Sequence, residues 1–203
     1  MKNYAGSFLT RFIPMGVLSV IMGCASTPPS SFYTLNPMEK QGAQQTGSDA
    51  MQQVTIGIGS IKIPDYLDRS QIVIRSSHSG LKVDEFNRWA GSLKENISSV
   101  LAENLSLLLS TDRVFAHPWM PDDAVTYWLH VEIIRLDVVP GDAVTLKSHW
   151  TIFGDRGKKE YITRTSEFTE KAGDNSYEMI VAAMSRTFEK LSREIALEME
   201  KLK

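Results

Sequence analysis

The chain has 203 residues, of which 42% are hydrophobic and 23% charged, as expected for one globular domain with a short tail. It carries 22 Lys and Arg against 24 Asp and Glu, for a formal net charge of -2. This balance argues against a nucleic-acid-binding protein, which would carry a basic surface. The single cysteine, Cys24, excludes an intramolecular disulfide and a cysteine-rich zinc site.

The first 23 residues have the pattern of a secretory signal. Lys2 and Arg11 supply positive charge, residues 12–23 are uncharged, and the small residue Gly23 precedes the cysteine. The uncharged stretch is too short to span a bilayer. We therefore assign residues 1–23 to a signal peptide and exclude them from the fold.

The residues Ile21-Met22-Gly23-Cys24 resemble the lipobox of bacterial lipoproteins, in which the cysteine thiol is acylated before cleavage. The alternatives are a buried cysteine or an ordinary secretory signal. The resemblance implies a mature chain that starts at Cys24 and carries acyl chains there, such as palmitate. One acyl chain would anchor the protein only marginally, whereas three acyl chains would hold it stably on a bilayer. Ala25 implies sorting to the outer membrane, as in lipoproteins of the enteric type. Residues 24–31 form a lipidated, Pro- and Ser-rich tether.

The first half of the mature chain shows short strand patterns separated by polar segments. Residues 36–53 are polar and offer little to bury, which predicts a mobile surface loop. A phase slip at Gly59-Ser60 predicts a bulge, and Pro64 ends that strand. Alternating or β-branched patterns predict strands over 32–35, 54–63, 71–75 and 114–117.

Two segments show the apolar period of an amphipathic helix. Residues 87–109 place apolar residues three and four apart, and Trp89 starts this stripe. The last helix starts at Asn175 or Ser176, with Glu178 as a capping partner of Asn175. Its apolar stripe runs to Leu202.

Three alternating segments lie between these helices, at 127–138, 144–152 and 160–168. In the first, the apolar parity changes at Ile133-Ile134, which predicts a β-bulge. Short turns between the segments predict an antiparallel meander. About seven strands and two long amphipathic helices therefore predict a single α/β domain over residues 32–203, with a mixed β-sheet and the helices packed on it.

The stretch from Ile61 to Leu109 resembles the ABC-type transport auxiliary lipoprotein family, to which the paraquat-inducible C and YmbA-like proteins belong. The similar features are the Ile-Pro-x-Tyr-Leu-Asp-Arg segment at 63–69, Ile-Val at 72–73, Trp89 and the leucine-rich helix ending at Leu109. Cys24 followed by the Phe-Tyr-Thr-Leu segment at 32–35 also looks like that family.

The resemblance implies a fold similar to the N-terminal domain of the TolB protein. It further implies a lipoprotein held in the inner leaflet of the outer membrane and facing the periplasm. Its partner would be a periplasmic mammalian-cell-entry (MCE) protein of an intermembrane lipid transport system. The lipoprotein would dock that protein as a homo-oligomer, without catalysis.

The segment Pro64–Arg69 is the candidate interface for a partner or a second copy. Tyr66 and Leu67 offer an apolar anchor, and Asp68 and Arg69 add charges that can pair with a neighbour. The alternative is a rigid turn whose Tyr66 and Leu67 cover the edge of the sheet. For Trp89, a core position is the favoured interpretation.

No catalytic, metal-binding or cofactor-binding motif emerges from the sequence. The four histidines are scattered, and His130 and Glu132 are expected to share a solvated strand face. Gly57 and Gly59 lack the third glycine of a dinucleotide fingerprint. Two other functions stay open: a lipid-binding carrier with a pocket between helix and sheet, and an enzyme of envelope remodelling, which would need a cleft of convergent titratable groups.

Overall fold

The computed structural model describes residues 28–40, 49–116 and 124–202. These residues form eight strands and two long helices, with short 3-10 helices at Asp49–Gln53 and Asp65–Leu67. In chain order the elements are β1 (Ser31–Tyr33), β2 (Ile56–Lys62), β3 (Gln71–Arg75), β4 (Leu81–Trp89), α1 (Leu93–Leu109), β5 (Val114–Phe115), β6 (Tyr127–Val139), β7 (Ala143–Gly154), β8 (Lys159–Lys171) and α2 (Tyr177–Glu200).

Five strands form the central sheet in the order β5-β2-β6-β7-β8. β2 is parallel to both β5 and β6, whereas β6, β7 and β8 are antiparallel neighbours joined by short turns. The other three strands form a second sheet in the order β1-β4-β3. The α/β class, the mixed sheet and the meander are thus confirmed. The domain divides its strands between two sheets, where we expected one.

The hydrophobic core lies between the central sheet and the two helices. α1 packs on β2 and β5, α2 packs on β7 and β8, and the helices contact each other. The apolar stripe of each helix supplies the buried side chains, because the 3.6-residue period brings them to one face. The fully buried residues of this layer include Ile97, Leu101, Leu105, Leu129, Trp150, Ile152, Phe188, Leu191 and Ile195.

Both predicted bulges are present. The register between β6 and β7 shifts between Ile133 and Arg135, and Ile134 is 46% exposed. The register between β2 and β6 shifts between Ile58 and Ile61. A bulge lets the apolar residues on both sides of it face the core, since it absorbs the residue that breaks the alternation.

The first helix begins later than predicted. Asn87 to Trp89 are the last residues of β4, a strand missing from the sequence-based prediction, and α1 begins at Leu93. Trp89 is 4% exposed, which confirms its core position. Its amide donates to the Ser70 carbonyl at 2.7 Å, as a strand residue does. The error arose because Trp89 lies four residues before Leu93 and so fits the helical stripe by spacing alone.

The segment after β1 is also more ordered than predicted, as far as it is described. Met38 is 7% exposed and Met51 1% exposed, so the described part of the predicted loop 36–53 contributes these side chains to the core. The Met38 amide donates to Asn104 Oδ1 at 2.8 Å, and the Asn36 amide donates to Ser185 Oγ at 3.0 Å. The chain therefore contacts both helices here. The prediction of a mobile loop over 36–53 is wrong for these parts, and residues 41–48 lie outside the described residues.

The start of α2 agrees with the sequence, but its cap is Ser176. The Ser176 hydroxyl accepts from the Met179 amide at 3.3 Å. The predicted pairing of Asn175 with Glu178 is therefore not the cap.

Candidate functional site

The lipidation candidate Cys24 and the signal peptide lie outside the described residues, so acylation stays a prediction. The description of the tether begins at Pro28, and residues 28–30 are exposed. They lead directly into β1, which pairs in parallel with the last three residues of β4. The described end of the tether therefore joins the domain at this strand pair.

Two hydrogen bonds and a ring contact hold β1 and β4 to the start of α2. The Tyr33 hydroxyl donates to Asn87 Oδ1 at 3.0 Å, and the Tyr33 ring lies 6.2 Å from the Tyr177 ring. The Tyr177 hydroxyl donates to Asp84 Oδ2 at 3.0 Å. Burial pushes the pKa of Asp84 upward, but hydrogen bonds from Asn87, Phe86 and Tyr177 outweigh it and hold that pKa below its ordinary value. Asp84 is thus a charged acceptor that fixes this corner.

The predicted contact segment Pro64–Arg69 connects β2 to β3 through one turn of 3-10 helix. Leu67 is 4% exposed and belongs to the core, and Tyr66 is half-buried against the core. Burial, and to a lesser degree the Asp137 carboxylate, raises the pKa of Tyr66. These two side chains anchor the turn to the domain, as the rigid-turn alternative expects.

Asp68 and Arg69 are the exposed charges of the segment. Asp68 Oδ2 accepts from Lys94 Nζ at 2.6 Å, which links the turn to the start of α1. Side-chain exposures of 50% for Asp68 and 41% for Lys94 limit this ion pair to about 1 kcal/mol or less. Within the described chain, no carboxylate lies at ion-pair distance from the Arg69 guanidinium. Arg69 thus places a charged guanidinium without an ion pair among the described residues on the surface of the turn.

A shallow cleft of about 150 Å³ opens on the helix-free face of the central sheet, at the end of β2. The His130 ring lies 5.0 Å from the Phe153 ring and occupies the space over Gly59, where a Cβ atom would come within 2.4 Å of the imidazole. Burial and the Lys62 ammonium lower the pKa of His130, so the imidazole is neutral at pH 7. Polar side chains of β2, β6 and β7 line the cleft: Ser60, Lys62, His130, Glu132, His149 and Thr151.

The sequence predicted that His130 and Glu132 share a strand face. It did not predict that Lys62 and His149 lie in the same cleft, because pairing of β2, β6 and β7 brings them there. Among the described residues, no three His, Cys, Asp or Glu side chains are grouped as metal ligands. The cleft offers hydrogen-bond donors and acceptors on an open surface, which suits a binding contact.

The layer between the helices and the central sheet is filled by side chains. Leu101, Leu105, Trp150 and Phe188 have no solvent exposure, and Trp150 Nε1 donates to Ser166 Oγ at 2.9 Å. The clefts found in the described part of the chain hold about 150 to 410 Å³ and open to solvent. A lipid carrier instead needs an enclosed apolar pocket.

Two exposed aromatic residues near the tether were missed as surface features. Phe32 is 64% exposed and Phe86 is 36% exposed. In the sequence, Phe32 served as evidence for a strand and as part of the family resemblance, and its exposure was not predicted. The alternation of β1 places Phe32 and Tyr33 on opposite faces, but only the tertiary contacts of Tyr33 show that Phe32 is the one facing outward.

None of the helices in the described ranges combines the length and the apolar character that a bilayer-spanning segment requires.

The model of the ABC-type transport auxiliary lipoprotein component family matches residues 33–196 of this chain. No curated protein matches this chain. Among solved structures, one described as an uncharacterized protein superposes with a TM-score of 0.67 at 21% identity, covering 85% of this chain and 99% of its own. A protein from Xanthomonas campestris superposes with a TM-score of 0.62 at 14% identity, covering 82% of this chain and 92% of its own. These similarities show the shared fold.

Proposed function

Because the chain belongs to the family of ABC-type transport auxiliary lipoproteins, we propose that it is a non-enzymatic accessory component of an MCE-type intermembrane lipid transport system. The match of the family model to residues 33–196 carries this proposal. The folded domain binds the periplasmic MCE protein, and its role is to attach and position that protein. A core closed by side chains and surface clefts of modest volume is consistent with a docking protein.

In this proposal, the Cys24 acyl chains hold the domain in the inner leaflet of the outer membrane, facing the periplasm. The sequence supports this through the signal pattern, the Ile-Met-Gly-Cys order and Ala25 after the cysteine. The net charge of -2 counts the two basic residues of the signal, Lys2 and Arg11. Without them, the mature domain carries a larger negative charge. An acidic domain gains little from anionic headgroups, which leaves the acyl chains as the anchor.

The docking surface we propose is centred on Arg69 and Asp68 at the β2–β3 turn. Tyr66 and Leu67 hold the turn rigid from inside, which lowers the entropy cost of binding. An exposed arginine on a rigid turn can form a bidentate contact with a partner carboxylate. The same surface is available to a second copy, and we propose that the lipoprotein acts as a homo-oligomer.

Membrane fractionation of a Cys24→Ala variant tests the anchor. We expect the wild-type chain in the outer-membrane fraction with an intact mass that includes acyl groups, and the variant without acyl mass and outside the outer-membrane fraction. Ser26→Ala in the tether is the matched control and should fractionate as the wild type. Recovery of the Cys24→Ala variant with the outer membrane would contradict acyl anchoring.

Co-purification of a periplasmic MCE protein with the lipoprotein tests the docking role. The detergent-solubilised wild-type lipoprotein should retain this partner during purification. Recovery of the lipoprotein without it, under conditions where both are expressed, would contradict docking. The lipid-carrier alternative predicts one bound phospholipid per domain instead, and the filled layer between helices and sheet gives it no support.

A further inference from the structure

We propose that Phe32 and Phe86 form the face of the domain that contacts the lipid bilayer. This inference rests on the proposed acylation of Cys24, since it concerns how the anchored domain is oriented. The occupant we assign is the surface of the same phospholipid leaflet that holds the acyl chains. Phe32 has the largest exposed fraction, 64%, of the exposed large apolar residues in the described chain.

The outward direction of Phe32 is set by its neighbour in β1. Tyr33 faces inward, because its hydroxyl donates to Asn87 and its ring lies against Tyr177. Successive side chains of a strand point to opposite faces. Phe32 therefore faces away from Asn87 and Tyr177, in agreement with its 64% exposure.

Phe86 lies at the end of this strand pair nearest the tether. The parallel register pairs Ser31 with Asn87, so Phe86 is next to the residue before Ser31. Asp84 Oδ1 accepts from the amides of Phe86 and Asn87 at 3.0 and 2.8 Å, which bends β4 at this point. The bend interrupts the pairing with β3, whose register shifts between Gln71 and Val73, and Phe86 remains 36% exposed.

The length of the tether keeps these rings near the leaflet. Eight residue steps separate Cys24 from Phe32, and a fully extended chain spans at most about 3.6 Å per residue. Phe32 therefore lies within about 29 Å of an acylated cysteine at full extension, and closer for any bent tether. No other exposed large apolar side chain of the described domain follows the tether so closely in sequence.

Two phenylalanine rings bury too little surface to hold a free domain on a membrane, where even one myristoyl chain binds marginally. Tethering changes this, because covalent attachment through a short linker gives an effective concentration on the order of millimolar. The face therefore orients the anchored protein and adds little to its retention. An oriented domain presents a defined surface to its partner.

An environment-sensitive fluorophore at position 32 tests the proposal. The variant Phe32→Cys, made in the full chain, is labelled at its thiol with a nitrobenzoxadiazole (NBD) maleimide, while acylation blocks Cys24. The lipoprotein is reconstituted in vesicles of phosphatidylethanolamine and phosphatidylglycerol. We expect a blue shift of emission and several-fold stronger quenching by brominated phospholipids than at a control position.

The control position is Leu197, labelled as Leu197→Cys. It is 51% exposed and lies on α2, about 30 Å along the helix from Tyr177, which contacts β1. Equal, water-like emission at positions 32 and 197 in protein that floats with the vesicles would overturn the proposal. Protein that lacks acyl mass and does not float would overturn the anchor itself, and with it this inference.

Discussion

At the scale of single residues, the most informative side chain is Asn104, a fully buried amide in the middle of α1. Its Oδ1 accepts from the Met38 amide at 2.8 Å, and its Nδ2 donates to Ser192 Oγ at 3.2 Å. One side chain thus joins both helices to the segment that follows β1. A polar residue inside an apolar stripe would be unfavourable without these partners, because a buried polar group must be hydrogen-bonded.

We predict that Asn104→Ala lowers the free energy of unfolding by about 1–3 kcal/mol, since it leaves the buried Met38 amide without an acceptor. Urea denaturation followed by circular dichroism measures this. Glu103→Ala, at the exposed neighbouring position, is the control and should change the stability by less than about 0.5 kcal/mol. Equal midpoints for Asn104→Ala and the wild type would contradict the role given to this amide.

Arg69 is the residue whose change should affect binding without affecting the fold. We predict that Arg69→Glu reduces recovery of the MCE partner at least tenfold, because a buried interfacial arginine contributes on the order of 2 kcal/mol. The melting temperature should stay unchanged, since the side chain is exposed. Co-purification measures the effect, and Arg156→Glu, an exposed charge reversal at the β7–β8 turn, is the control. Similar losses in both variants would point to net charge instead.

At the scale of elements, the bulge in β6 decides which residues face the core. Ile133 and Leu136 are both buried although three positions apart, because the bulge absorbs one residue between them. Without it, a regular strand would turn one of the two outward. The same reasoning applies to β2, where the shift lies between Ile58 and Ile61.

We therefore predict that deletion of Ile134 is tolerated, since a strand of regular alternation would keep Ile133 and Leu136 facing inward. Deletion of His130 should prevent folding, because it turns Val131 outward and Glu132 toward the core. Soluble expression and the two-dimensional amide NMR spectrum of each variant measure the outcome. A folded His130 deletion together with an unfolded Ile134 deletion would contradict this account of the bulge.

At the scale of the whole molecule, the distribution of buried side chains favours the proposed docking protein over a lipid carrier. The two helices and the central sheet close on each other, with Trp150 and Phe188 fully buried in the described layer. The helix-free face of the meander is polar, with cross-strand hydrogen bonds such as Thr145 to Thr169 at 3.1 Å. β8 is an edge strand of the central sheet in the described part of the chain, and such an edge is open to pairing.

We predict that the soluble domain, residues 28–203 without the cysteine, is a lipid-free homo-oligomer. Native mass spectrometry measures subunit number and bound lipid in one spectrum. A monomer at every concentration tested would contradict the proposed oligomer. One phospholipid per domain would favour the carrier function.

Much of the fold was predictable because its signals are local. β3 matches its predicted range, and both bulges follow from the parity of apolar residues. The predicted start of α1 was wrong because the spacing from Trp89 to Leu93 is helical. The backbone amide of Trp89 instead donates to the carbonyl of Ser70, which is distant in sequence. Spacing along a sequence carries no information about such a partner.

The candidate site was predictable only in part, for the same reason. Pro64–Arg69 was identified as a segment, but the burial of Tyr66 and Leu67 and the exposure of Arg69 depend on what packs beside the turn. The cleft at the end of β2 combines Lys62 and His149 from different strands, which only strand pairing brings together.

The sequence by itself determined the periodic features of this protein: the apolar stripes of the helices and the alternation of the strands. Each arises from neighbours a few residues apart, so the backbone geometry alone converts it into structure. Tertiary structure alone decided that the strands form two sheets, that Met38 is buried and that Phe32 faces solvent. These depend on contacts between distant segments, whose free energy is gained only when the chain folds as a whole.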